Sequence, residues 1–263
     1  MALVVAFSVI LPSCEDEPEA MELPPMDAMV IDFSDFGTPA DTASTAKSAD
    51  SATYQNWFYS FTNVTFWSAF TSVTLAVPVA AYAVALEQTP VYMGDNTWEW
   101  QFTYTHGGGS FTAKLVGNRL NNEEFNMRMY ITKSGPRGYS SFMWFEGTVR
   151  YDHTHATWTL YESPNNPVEL LTVEWNKNYE TGASDITYEV VKETSEYEGD
   201  FIEFAVMPEA NYDAHYTITG QGSVVAIEWD STTHAGRVMS MDWFQDELWH
   251  CWNEQLEDTD CPQ

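Results

Sequence analysis

Trp98-Glu99-Trp100-Gln101-Phe102-Thr103-Tyr104-Thr105 decides the fold, because rings and polar residues alternate along its whole length. On extended backbone successive side chains point to opposite faces, so the four rings share one face and the polar residues the other. Phe125-Asn126-Met127-Arg128-Met129-Tyr130-Ile131-Thr132 repeats the pattern. A period of two with one dry face specifies strands. Working outward, strands read at about 110–116, 141–151, 156–162, 168–175, 185–192, 201–207, 214–219, 223–229 and 237–244. Turn-forming clusters separate them, among them His106-Gly107-Gly108-Gly109, Ser134-Gly135-Pro136, Ser163-Pro164-Asn165-Asn166-Pro167 and Gly220-Gln221-Gly222. Such short connections leave no room for crossover helices, so the sheet is antiparallel and mostly a meander. About eleven strands in one sheet curl or close to protect their edges. The expectation is an all-β domain, a curved meander closing into a barrel or half-barrel with one helical segment packed against it.

That helical segment precedes the sheet. From 54 to 87, Trp57, Phe58, Phe61, Val64, Phe66, Phe70, Val73 and Val77 recur mostly three or four apart, and Ala76, Ala80, Ala81, Ala83 and Ala85 favour helix. Pro78, which has no amide hydrogen, predicts a kink or split. Apolar residues cover most of the circumference with no Lys or Arg to mark a solvent face, so the helix is expected to be buried or to lie across an apolar opening. Thr62, Asn63, Thr65, Ser68, Thr71 and Ser72 dilute the hydrophobicity and no basic cluster flanks the segment, which reads against a membrane span.

Before the helix the composition changes. From Cys14 to Ala46 there are nine acidic residues, no basic one, and the prolines 18, 24, 25 and 39. By composition residues 14–53 read as a disordered acidic tether. The domain then spans 54–263. Residues 1–13 form a short apolar run ending at Cys14, with Leu11 three places before the cysteine and Ser13 directly before it, as in a secretory signal. No basic residue precedes the run, so the start of translation is expected a few residues upstream. Cys251 and Cys261, separated by nine residues in the C-terminal tail of an exported chain, are expected to form a disulfide.

Charge and motifs narrow the function. With 39 acidic and 10 basic residues the chain carries a formal charge of −29, which repels nucleic acid and anionic headgroups. His153 and His155 flank Thr154 at a spacing a metal could use, but two imidazoles are an incomplete ligand set, and no metal or cofactor is expected. No nucleophile elbow or phosphate-binding glycine loop occurs. Among so many acids, no pair suited to a hydrolase can be chosen. The aromatics offer the better lead: Phe142-Met143-Trp144-Phe145 is apolar on both faces, as expected for a strand covered on its second face by the helix.

The run ending at Cys14 resembles a bacterial lipobox, which implies cleavage before Cys14 and acylation of its thiol. Acidic residues directly after that cysteine resemble the surface-export signal of Bacteroidota lipoproteins. Asp41-Thr42-Ala43 and Asp50-Ser51-Ala52 resemble the O-glycosylation motif of that phylum. Lipobox, acidic tether, helix and meander together resemble the uncharacterised outer-membrane lipoproteins of Bacteroidota, a resemblance that implies an outer-membrane lipid anchor and brings no catalytic residues. At the level of fold alone, the arrangement also looks like lipoprotein carriers and lipocalins. The reading is a non-enzymatic binding lipoprotein for a hydrophobic or lipid-like ligand, with Trp100, Phe102, Met127, Met129, Phe142 and Trp144 as candidate lining residues. The alternatives are an accessory subunit of an outer-membrane or surface assembly, with a membrane-protein partner, and a hydrolase.

Overall fold

A computed structural model describes residues 18–36 and 53–262. Cys14 and the expected signal segment lie outside the described residues. Two helices come first, α1 (Gln55–Thr74) and α2 (Ala76–Ala85). Strands β1 (Val91–Gly94), β2 (Thr97–His106), β3 (Gly109–Arg119), β4 (Glu124–Lys133), β5 (Tyr139–Arg150), β6 (His155–Ser163) and β7 (Asn166–Lys177) follow. The chain continues through β8 (Ser184–Val190), β9 (Phe201–Val206), β10 (Ala214–Gly220), β11 (Ser223–Trp229) and β12 (Gly236–Met239). It ends in a one-turn helix α3 (Met241–Phe244), β13 (His250–Trp252) and β14 (Asp258–Thr259).

All 14 strands form one antiparallel sheet in sequence order, the expected meander. Its ends do not meet, since β1 pairs only with β2 and β14 only with β13, so the sheet is open. Two-residue turns with both residues at positive φ, Asp95-Asn96, Gly107-Gly108 and Gln221-Gly222, close three of the hairpins in the conformation whose twist suits paired strands. The segment 237–244, expected as one strand, gives up extended backbone after Met239 and turns through α3.

Alternation puts one apolar residue per strand into each row of the inner face. One such row runs Trp98, Gly117, Met127, Gly147, Trp158, Val173, Tyr188 and Ile202. The glycines make room for their large neighbours: a Cβ on Gly147 would lie 2.4 Å from the Trp158 ring and 2.1 Å from the Thr157 carbonyl oxygen. The doubly apolar stretch of β5 has a local explanation. Met129 faces Phe145 but Tyr130 faces Met143, so Trp144 is an extra, bulged residue. The bulge turns Trp144 and Phe145 both inward, in place of the expected second covering layer.

The main departure from the sequence reading is 18–36, expected as tether. This segment is packed on the inner face, with Met21, Ala28, Met29, Ile31 and Phe36 buried. The Trp158 indole N–H donates to the Ala28 carbonyl (2.7 Å), and the Tyr188 hydroxyl donates to the Met29 carbonyl (2.6 Å) while accepting from the Ile31 amide (3.0 Å). Burial pushes the Tyr188 hydroxyl well above its ordinary pKa, so it stays protonated as a donor. Phe36 packs edge-on against Trp229, centroids 5.0 Å apart. Glu19, Glu22, Asp27 and Asp32 alternate with these anchors and point outward, which is why an average over the segment reads as disordered.

The helices cover what remains of the inner face. They break at Leu75 with a bend of 69°, so that Pro78 falls in the first turn of α2, where an amide has no intrahelical partner. α2 packs on β2, and α1 lies on β12, β13 and β14. No single helix among the described residues is long and apolar enough to cross a membrane; the bent pair reaches that length and composition only together.

The tail holds α1 in place. Cys251 and Cys261 stand in disulfide geometry, Cα atoms 5.2 Å apart, closing the β13–β14 hairpin. From that hairpin Asp258 caps α1 in place of Tyr54, whose side chain makes no cap bond. Its carboxylate accepts from the amides of Gln55 (3.1 Å) and Asn56 (3.0 Å) and from the Thr53 hydroxyl (2.5 Å). A negative charge at a helix N-terminus also complements the helix dipole.

Candidate functional site

α1 carries the chemistry of the site. No charged residue occurs from Ser51 to Leu86, in a chain of formal charge −29. Its buried residues, Trp57, Ser60, Val64, Trp67 and Thr71, step by three and four along one face, so the opposite face is left outward without a charge on it. Two hydroxyls on the outward side turn back on the helix: Thr62 donates to the Phe58 carbonyl and Ser72 to the Ala69 carbonyl. The outer face is therefore less polar than its composition suggests. Phe58 and Phe66 stand out from it, 59% and 50% exposed.

Between this face and the ends of β8, β10 and β11 lies an open apolar groove of about 670 Å³. Trp67, Val190, Ile218 and Val225 form its buried floor. Two aromatic pairs wall it. Tyr59 stacks on Trp243 of α3 at 4.7 Å, its hydroxyl 3.0 Å from Ser240 Oγ, and Phe66 meets Tyr197 at 5.9 Å. Asp200 is the charged residue of the lining, and no Lys or Arg is among it. Volume, concavity and apolar lining suit a hydrophobic ligand of small-molecule size.

The residues singled out from sequence lie elsewhere. Trp100, Phe102, Met127 and Met129 are buried among the strands of the inner face. Phe142 is half-buried and meets Trp144 edge-on at 5.2 Å. Trp144 is buried beside a smaller cavity that it shares with Phe70, Val73 and Val77. None of the six lines the main groove. The helical half of the groove was legible in the apolar circumference of 54–87; its sheet half comes from strand ends more than a hundred residues later, with no local signal.

The histidines do not converge. His153 Nε2 lies 3.2 Å from the Glu22 carbonyl, and His155 Nδ1 lies 2.8 Å from Asn176 Oδ1. Among the described residues no three His, Cys, Asp or Glu side chains are grouped to hold a metal ion. The outer face of the sheet instead carries a polar row. Asn176 donates to Asp185 (2.8 Å), and farther along Arg237 donates to Glu228 (2.7 Å). Beside Asp185, burial raises the pKa of Glu203, the Asp185 charge raises it further, and His215 opposes both.

This gives a pH-dependent expectation. A carboxyl whose folded pKa is raised contributes stability below its unfolded value of 4.5 and loses it as pH climbs through the folded value. Ionised Glu203 is therefore a cost at neutral pH. Glu203→Gln should raise the melting temperature at about pH 7 and leave it unchanged near pH 3.5; an equal shift at both pH values would contradict the assignment.

No protein family, curated protein or solved structure matches the chain.

Proposed function

We propose that this chain is a non-enzymatic binding protein that holds a hydrophobic or lipid-like ligand in the α1 groove and is tethered to the outer membrane through acylated Cys14. The groove carries the reading: about 670 Å³ of concave apolar surface, framed by an uncharged helix on a strongly acidic protein. Buried floor residues supply the apolar contact, and aromatic walls supply area with little side-chain entropy to lose. In this reading the open sheet acts as a half-barrel with α1 across its mouth. The inner face itself is filled by 18–36, so the ligand lies beside the core.

A second reading rests on a separate observation. Phe58 and Trp243 line the groove while more than half exposed, Met241 of α3 is exposed as well, and apolar residues gathered at a surface suit a protein partner. An accessory subunit would use the same groove for a partner's apolar segment.

The test uses N-phenyl-1-naphthylamine, an uncharged probe that fluoresces in apolar surroundings. Phe66 is a half-exposed wall residue, so Phe66→Asp should spare the melt and weaken probe binding about tenfold, or about 1.4 kcal/mol. No binding to the native protein, or equal binding to the variant, would overturn the ligand reading.

A further inference from the structure

Resting on that ligand-groove reading, we infer that the groove selects a single-chain amphiphile with a cationic head. Its length comes first. Phe58 and Phe70 both line it, and twelve residue steps of α1 at 1.5 Å each give about 18 Å of largely apolar wall, which suits one extended chain better than a compact ring system.

The head group follows from charge. Asp200 lines the sheet side, fixed by accepting the Gln221 amide at 2.9 Å, with Tyr197 and Phe66 alongside in the lining. A quaternary ammonium there meets a carboxylate and the electron-rich faces of two rings. An anionic head meets no Lys or Arg in the lining. The nearby Lys192 is committed to Glu162, with its ammonium 2.8 Å from the carboxylate. The protein's net charge adds repulsion against any anion that approaches. Fatty acids and acidic phospholipids are therefore disfavoured by the same groove that would accept their chains.

Competition against N-phenyl-1-naphthylamine tests this with three probes of equal chain length: decyltrimethylammonium, decanol and decanoate. The ammonium should displace the probe at a concentration about tenfold below that of decanoate, with decanol between them. Asp200→Asn, which keeps an oxygen for the Gln221 amide, should shrink the gap between ammonium and carboxylate without moving decanol. Glu123→Gln removes the same charge in the β3–β4 connection and should leave the gap intact. Equal displacement by decanoate, or an equal loss of the gap in both variants, would overturn the head-group inference while the groove stands. If the native protein fails to bind the naphthylamine at all, the binding reading itself falls.

Discussion

A chain shortened to begin after Phe36 should melt at least about 10 °C below one that begins at Pro18, with a broadened transition and a tendency to aggregate. Four large apolar side chains of 18–36, those of Met21, Met29, Ile31 and Phe36, are buried on the inner face. Burying each contributes about 1.5–3 kcal/mol. Their sum is comparable with the whole stability of an ordinary domain, and the entropy that the segment gives up on docking offsets only part of it, since it is docked in the native state. Removing it also takes the acceptor from the Trp158 indole and both partners from the Tyr188 hydroxyl. Thermal melts of the two chains by circular dichroism decide the matter. An unchanged transition would show that the segment lies on the sheet without supporting it.

Trp158→Ala should be the costliest single substitution, about 3–5 kcal/mol. The ring fills the space over Gly147, meets Phe145 edge-on at 5.5 Å and Tyr82 at 6.4 Å, and bonds to the N-terminal segment. Gly147 beneath the ring has no side chain to fill the gap, and the strands are held in register. Trp158→Phe separates two contributions. It keeps most of the packing and leaves the buried Ala28 carbonyl without its donor, at about 1–3 kcal/mol. Urea denaturation of both variants reads the difference. An alanine variant within about 1 kcal/mol of the native protein would mean that the inner face is loosely filled, and the ligand would then be sought there.

How much of this was legible in the sequence depends on the range over which each feature is determined. The long strands β2 and β4 were readable because alternation needs only a strand and one dry face. The strands β1, β13 and β14 were not, being too short for a period to register. Trp144 was misread for a different reason. A bulge is a relation between two strands, and nothing in Phe142-Met143-Trp144-Phe145 alone says which residue lacks a partner opposite. The 18–36 segment failed through averaging: its acids and its three prolines were read together with the acidic stretch around them, yet Glu19, Glu22, Asp27 and Asp32 point away from the apolar residues once the sheet is there to receive the latter. The floor of the groove was out of reach, since Ile218 and Val225 read as ordinary core until α1 leaves them partly roofed.

The cap on α1 also sets an order of events in time. Each strand pairs with its neighbour in sequence, so the sheet can grow hairpin by hairpin as the polypeptide emerges, with short loops to close. The first turn of α1 cannot be finished in that way, because Thr53 and the carboxylate that caps it lie 205 residues apart. Closing so long a loop early would be slow, and the capping residue follows the other thirteen strands along the chain. The first turn of α1 is thus completed only after β14 has been made. A chain that stops short of β14 lacks this cap, so the helix that walls the groove is secured only in molecules that have reached that strand.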